Sequence, residues 1–255
     1  MTRRPPRDLG QHFLIDQRGV SLLLNALNHL AGRDFLEVGP GLGALTLEAS
    51  RLANRLVAVE LDQRLAGKLV QRLPPNAAVV VGDGVDFVRS TPSEVVFSNS
   101  PFYLTSSIVA AAARNNNVRW LVLGCQKEVA LRLTASPGSD DYGRLSVIAQ
   151  AYFNVSLAGF MPAEWFRPRP KVDAAVVVMS RRRTWGEEGE VLEELSRCLF
   201  SQRNKTLTKV MRRCIPNDAG QPPIRLDPMR RVRDLTPDEI IEVSKWLAGL
   251  RRGGS

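Results

Sequence analysis

Cysteine, histidine and aromatic side chains are all scarce in this chain. Three cysteines, Cys125, Cys198 and Cys214, are spread over 255 residues, and only His12 and His29 accompany them. With no C-x-x-C pair, this spacing predicts neither a disulfide scaffold nor a structural zinc site, so no metal is expected. A reducing, cytoplasmic setting is the default for such cysteine usage. Long apolar runs are missing as well, and none approaches the roughly 18 residues that a membrane span needs. Acidic residues are in deficit: 26 Asp and Glu stand against 35 Lys and Arg, a formal net charge of +9. The remaining composition, 44% hydrophobic and 24% charged, is that of an ordinary globular protein rather than a disordered one.

The basic surplus points to an anionic partner, and its placement narrows the choice. Residues 1–180 carry +4 and residues 181–255 carry +5, so the shorter tail is denser in charge. Nine basic and two acidic side chains lie in residues 203–233, and a second cluster comprises Arg167, Arg169, Lys171 and Arg181–Arg183. Of the 35 basic residues 29 are Arg, whose planar fork matches phosphate and stacks on bases. Nucleic acid is the partner these features favour. The first residues, Met1-Thr2-Arg3-Arg4-Pro5-Pro6-Arg7, read as a basic arm, because no apolar stretch follows to make a secretory signal.

Short apolar runs alternate with helical patterns. Asp34–Val38, Leu56–Glu60, Ala78–Val81, Val95–Ser98 and Val118–Gly124 read as buried strands, with helices over 44–53, 62–73, 104–114 and 126–134. Strands separated by helix-length segments predict βαβ units and a mostly parallel, doubly wound sheet. Tyr152–Phe160 and Val172–Ser180 follow without a helix between them and read as a closing antiparallel pair. Charged residues around Arg181–Glu190 mark a boundary, after which a small all-α domain is expected. Its last helix opens at Thr236-Pro237-Asp238-Glu239, a capping-box pattern with Pro in the first turn.

Glu37-Val38-Gly39-Pro40-Gly41-Leu42-Gly43 ends the first of these strands and opens a helix. Glycines there allow a tight turn and close approach of a ligand to the backbone. Glu60, 21 residues after Gly39 at the end of the next strand, suits a ribose diol, so an adenosine-containing cofactor is expected. Gly39, Gly41 and Ala44 satisfy the dinucleotide pattern G-x-G-x-x-A, which leaves a nicotinamide enzyme and a methyltransferase both open. Glu37 could steer the ammonium and sulfonium of S-adenosylmethionine, and Gly82-Asp83 would put a carboxylate near an adenine amino group. No proton-transfer constellation of an oxidoreductase is evident.

The fourth strand ends Ser98-Asn99-Ser100-Pro101-Phe102. An exocyclic amino group is a poor nucleophile because its lone pair is delocalised into the ring. An Asn oxygen and a turn carbonyl can accept its hydrogens and leave the lone pair facing a methyl donor. Proline fixes such a turn and the aromatic ring stacks on the base, so positioning and preorganised acceptors supply most of the rate.

Taken in order, these pieces resemble the KsgA-type rRNA adenine dimethyltransferases, the family that also holds the Erm resistance methyltransferases and mitochondrial transcription factor B. The resemblance is carried by Gly10-Gln11-His12-Phe13-Leu14, the Glu37–Thr46 turn, Glu60, Gly82-Asp83 and Asn99-Ser100-Pro101-Phe102. It continues through Gln126–Ala130, Tyr142–Val147, Phe166-Arg167-Pro168-Arg169-Pro170-Lys171-Val172-Asp173 and Gln202–Leu207, so it spans roughly residues 10–250. It implies a Rossmann-like class I methyltransferase domain over 1–184 and a C-terminal helical RNA-binding domain over 185–255. S-adenosylmethionine would be held by Gln11, His12, Leu14, Gly39, Gly41, Glu60 on the ribose, Asp83 on the adenine, and Asn99. Asn99 and Pro101 would present the target amino group, Phe102 would stack on a flipped adenine, and Phe166 would cover its other face. Arg203, Lys205, Lys209, Arg212 and Arg213 would track phosphates. The implied substrate is small-subunit rRNA, free or in a pre-ribosomal particle, with two neighbouring adenines near the 3′ end each methylated twice at N6 by a monomeric enzyme. Three positions depart from the family pattern: His12 replaces Asn, Ser100 replaces Leu or Ile, and Phe102 replaces Tyr, keeping the stacking face and losing a hydroxyl. An Erm-type enzyme for large-subunit rRNA and a non-catalytic nucleic-acid-binding factor are the alternatives. The fuller tail and Gln202-Arg203-Asn204-Lys205 resemble the small-subunit group better, and the intact Asn99-x-Pro101-Phe102 favours catalysis.

Overall fold

The computed structural model describes residues 12–99, 101–216 and 219–253. They form two compact units, residues 12–130 with 155–181, and residues 131–154 with 182–253. This differs from a single boundary near residue 184: the stretch 131–154 groups with the tail, although its last two residues already begin a strand of the sheet.

In chain order the elements are β1 (Phe13–Leu14), α1 (Gln17–Asn28), β2 (Asp34–Val38), α2 (Thr46–Ala49), β3 (Arg55–Glu60), α3 (Gln63–Val70), β4 (Ala77–Val81), α4 (Gly84–Ser90), β5 (Val95–Ser98) and α5 (Thr105–Arg114). They continue as β6 (Trp120–Gln126), α6 (Lys127–Thr134), α7 (Arg144–Tyr152), β7 (Phe153–Met161), β8 (Phe166–Arg167), β9 (Ala174–Arg181), α8 (Glu188–Phe200), α9 (Leu207–Cys214) and α10 (Pro237–Gly253).

Among the described residues, seven strands form one sheet in the order β4-β3-β2-β5-β6-β9-β7. Strands β2 to β6 are parallel to their neighbours, and β9 runs antiparallel to β6, with Trp120 opposite Ser180 and Gln126 opposite Ala174. The central strands are buried on both faces, which is why they read as unbroken apolar runs instead of alternating ones. Phe35 and Phe97 meet edge to face across β2 and β5, at 5.9 Å between centroids, in the middle of the core. Chain order reverses at β2: β3 lies on one side of it and β5 on the other. That switch opens a crevice at the carboxyl ends of β2 and β5, where ligands of such sheets bind.

Local chemistry sets the element ends. Asp16, Asp62 and Asp83 are N-caps of α1, α3 and α4, each accepting from the backbone N–H two residues on. The helix expected over 44–53 is only Thr46–Ala49, because Ser50 Oγ donates to the Leu47 carbonyl and the N–H groups of Arg51 and Leu52 turn back three residues, which tightens the chain. Helix α7 was not expected. Its Val147, Ile148, Ala149, Ala151 and Tyr152 are all buried, so it carries little of the one-sided apolar pattern by which a helix is read. The small pair β1–β8 was also unexpected, at two residues a side too short for a periodic signal.

In the tail unit α10 packs on α8 and α7, and α9 packs on α8. The capping box at Thr236 forms as the spacing predicts: Glu239 N–H donates to Thr236 Oγ1 and Thr236 N–H donates to Glu239 Oε2. Tyr142, fully buried, donates from its hydroxyl to the Leu235 carbonyl at 2.9 Å. Its phenol is pushed above the usual range by burial first and then by the nearby Glu239 and Asp238 charges. Cys198 and Cys214 are joined in a disulfide between α8 and the end of α9, with their Cα atoms 5.8 Å apart. This corrects the sequence expectation of separate thiols; the two helices double back and bring together residues 16 positions apart. Cys125 alone is a free thiol among the described residues, and burial pushes it up to about 12.

Candidate active site

A cavity of about 300 Å³ opens at the switch point of the sheet. Most lining groups come from the carboxyl end of a strand or from the segment before α1, and Val20 comes from α1 itself. Strand β2 delivers Glu37, Val38 and the glycine turn, β3 delivers Glu60, β4 delivers Asp83, and β5 delivers Asn99, Pro101, Tyr103 and Leu104. His12 and Leu14 enter from β1. The turn after β2 needs its glycines: Gly39, Gly41 and Gly43 have φ of 70°, 58° and 83°, a region closed to most side chains.

Glu60 is 3% exposed and already occupied on both oxygens. Oε2 accepts from Gly41 N–H and Oε1 from Asp62 N–H, both at 3.0 Å. The carboxylate therefore pins the glycine turn to the end of β3, a role the spacing of the two motifs did not reveal. Each oxygen keeps a lone pair for a diol. Asp83 combines two duties in the same way, capping α4 through Val85 N–H at 2.8 Å and lining the cavity. His12 Nδ1 donates to the Pro168 carbonyl at 2.7 Å, which ties this side of the cavity to the Phe166–Asp173 segment.

Two residues that line the cavity each carry a buried oxygen without a hydrogen-bond partner among the described residues. Glu37 is 2% exposed and its Oε2 accepts no hydrogen bond; Asn99 Oδ1 is likewise unsatisfied. Such atoms cost free energy unless a donor arrives. Burial is the main force pushing the Glu37 carboxyl up, to about 8; the Thr46 hydroxyl beside it opposes the rise and the Glu60 charge adds to it. The set fits S-adenosylmethionine: a carboxyl near cationic groups, a second at a ribose, a third at an adenine edge, and a turn open to close backbone approach. Asn99 depends on Gly124 of β6, where any Cβ would collide with Asn99 Oδ1.

The expected site residues divide by position. His12, Leu14, Gly39, Gly41, Glu60, Asp83, Asn99 and Pro101 all line the cavity. Gln11, like Ser100, lies outside the described residues. Phe102 is half-buried against the core, stacked on His12 at 6.1 Å between centroids. Phe166 does not line the cavity. It is 1% exposed and meets Phe102 edge to face, at 6.3 Å and 72°, so the two rings do not form parallel walls around a base. Two cavity groups that sequence reasoning did not single out are Tyr103 and Leu61, both exposed at the rim.

The basic candidates divide too. Lys209, Arg212 and Arg213 lie on the exposed side of α9, opposite buried Leu207, Val210 and Met211, and Lys205 is exposed just before it. Arg203 instead donates to the carbonyls of Asp140 and Tyr142, at 2.8 and 3.1 Å, and holds the tail unit together. Arg181 serves the sheet unit in the same manner, donating to the carbonyls of Val118 and Asn115, and Arg182 and Arg183 both bind Asp238.

The family model for ribosomal RNA adenine dimethylase matches residues 4–249. The chain belongs to the ribosomal RNA adenine dimethylase family. Within it, the chain is 45% identical over 251 residues to the Aeropyrum pernix protein named "Probable ribosomal RNA small subunit methyltransferase A", covering 96% of this chain and 91% of that one. Its fold is similar to that of a dimethyladenosine transferase from Plasmodium falciparum, with a TM-score of 0.79 at 21% identity over 95% of this chain and 98% of that one. It is also similar to the 23S rRNA methyltransferase ErmE, with a TM-score of 0.69 at 25% identity over 92% and 99% of the two chains. The Rossmann-like class I methyltransferase fold is thus the fold of this family member.

Proposed function

We infer that this family member transfers methyl groups from S-adenosylmethionine to N6 of two adjacent adenines near the 3′ end of small-subunit rRNA, giving dimethyladenosine during ribosome biogenesis. The observation that carries the reading is Asn99 Oδ1, a buried acceptor without a partner at the β5 end of a cavity whose other end carries Glu60 and Asp83. Family membership and the small-subunit name of the Aeropyrum relative support the substrate class.

When bound, S-adenosylmethionine supplies an electrophilic methyl group. The chain supplies position and charge. Glu60 and Asp83 hold the ribose and adenine end, the glycine turn admits close approach, and Glu37 faces the cationic end. A paired adenine cannot reach this depth, so the target base is extruded from its stack. Asn99 Oδ1 accepts a hydrogen bond from its amino group and turns the nitrogen lone pair toward the methyl donor. Pro101 holds the turn and Phe102 stacks on the base, with Phe166 acting through Phe102 as a positioning residue. The proton lost from nitrogen after transfer leaves to solvent. Lys205, Lys209, Arg212 and Arg213 track rRNA phosphates.

Among the described residues no helix is long and apolar enough to cross a membrane. The rRNA reading places the chain in the cytoplasm, where ribosomes assemble, as a monomer. The test is methyl transfer from labelled S-adenosylmethionine to small-subunit particles lacking the modification, followed by digestion to nucleosides. Dimethyladenosine is the expected product. Transfer confined to large-subunit rRNA, with macrolide resistance in a sensitive host, would replace this reading with the Erm one; RNA binding without transfer would replace it with a non-catalytic factor.

A further inference from the structure

We propose that Tyr103 forms a second base-binding subsite, a stacking platform for the nucleobase next to the target adenine. The proposal rests on the rRNA adenine reading above and names a residue outside the Asn99–Phe102 motif.

The turn after β5 sends two consecutive rings in different directions. Phe102 and Tyr103 are successive residues of a 3₁₀ turn, Phe102–Leu104, where neighbours point about 120° apart. Phe102 packs inward against Phe166 and His12. Tyr103 is 62% exposed and yet lines the cavity, so its ring stands at the mouth.

Its place along the sheet says which ligand it meets. Glu60 and Asp83 stand at the ends of β3 and β4, whereas Tyr103 follows β5, beyond β2. Adjacent strands are about 4.8 Å apart, so the β5 end lies roughly 10 Å from the ribose carboxylate and roughly 14 Å from the adenine one. Tyr103 therefore borders the acceptor end of the cavity and not the nucleoside end, whose exposed apolar rim is Leu61. Extruding the target adenine leaves the next base with an open face. An aromatic ring at the mouth restores that stack without reading base identity, and a Tyr hydroxyl lets the ring stay in water when no RNA is bound. A platform on one side of the target takes one neighbour, so for one of the two adjacent adenines the base held on Tyr103 is the other adenine, and for its partner it is the nucleotide flanking the pair.

The test is a double substitution across the contact. Small-subunit particles are reconstituted with a 3′ rRNA segment that is either intact or abasic at one adenine of the pair, and KM and kcat for the remaining adenine are measured. The KM of the wild type should rise about tenfold, with kcat retained, on one of the two abasic particles and stay within twofold on the other. Tyr103→Ala should show that loss already on intact particles and less than twofold more on abasic ones, while Tyr103→Phe should match wild type. Binding of S-adenosylhomocysteine, followed by calorimetry, should be the same in all three proteins. Undiminished sensitivity of Tyr103→Ala to the abasic site overturns the subsite. So does a Phe variant as weak as the Ala variant, or a fall in cofactor-product affinity. A wild type that transfers no methyl group to intact particles overturns the rRNA reading and the subsite with it.

Discussion

In the cavity Glu60, Asp83 and His12 are clamped by backbone groups, whereas on α9 the cationic side chains are exposed to solvent. Glu60 accepts from two backbone N–H groups, Asp83 from one, and His12 donates a hydrogen bond to a carbonyl. Lys209, Arg212 and Arg213 are placed only by the helix face they share. Under the proposed function the difference follows from what each region would recognise. Methyl transfer to a weak nucleophile needs atoms held within a fraction of an ångström, and a small misplacement costs rate steeply. A phosphate backbone is a line of like charges that many arrangements of cations satisfy. Rigid, shared carboxylates suit the first task and mobile charges suit the second.

The contrast is broken most severely at Asn99. Asn99→Ala should lower single-turnover methyl transfer on the order of a hundred- to a thousandfold, as removal of one preorganised polar group does elsewhere. RNA affinity in a filter-binding assay should change less than twofold. Turnover like wild type would remove Asn99 from the chemistry.

Next in size is the clamp behind the mobile face. Cys198→Ser opens the disulfide that joins α8 to α9, and a loop of this length is worth about 3 kcal/mol of stability. Chemical denaturation of the oxidised wild type and of the variant should differ by that amount. Addition of a reductant should bring the wild type down to the variant and leave the variant unmoved.

Charge reversal at Arg212 and Arg213 together should weaken RNA binding and flatten its salt dependence by about two units of slope. S-adenosylhomocysteine affinity should hold. Collapse of cofactor binding would give these arginines a structural duty like that of Arg203.

The smallest effect separates the two regions by pH. The folded protein holds the Glu37 carboxyl up at about 8, above its ordinary value of 4.5, chiefly by burial. Between those two values the unfolded chain has released this proton and the folded one retains it, so the group lowers stability progressively as pH rises from 4.5 to 8. Glu37→Gln should therefore raise the Tm of the cofactor-free protein more at pH 8 than at pH 5, while weakening S-adenosylmethionine binding. An equal Tm shift at both values would show that Glu37 is not held neutral. The α9 arginines stay charged throughout, so RNA binding in the variant should not change over this range.

Much of this was legible in the chain itself. The strands Asp34–Val38 and Val95–Ser98 occupy those residues because short, mostly apolar runs bounded by turns leave little choice of register. The glycine turn was legible because its φ angles exclude other residues. Less legible was anything decided by packing from all sides. Helix α7 is buried around its circumference, so its periodicity is faint. The burial of Phe166 and the commitment of Arg203 to two carbonyls depend on partners distant in sequence.

The order of motifs, the apolar runs and the charge of the tail determined by themselves the family, the parallel sheet and an anionic partner, since these follow from local backbone preference, hydrophobic pattern and net charge. Only the tertiary structure decided that Glu60 pins the glycine turn, that Asn99 Oδ1 stands over Gly124 without a partner among the described residues, that two of three cysteines are joined, and that Arg203 is committed to two carbonyls. Each of these is a relation between residues brought together by the close-packed fold, where a few ångströms separate a bonded group from an open one.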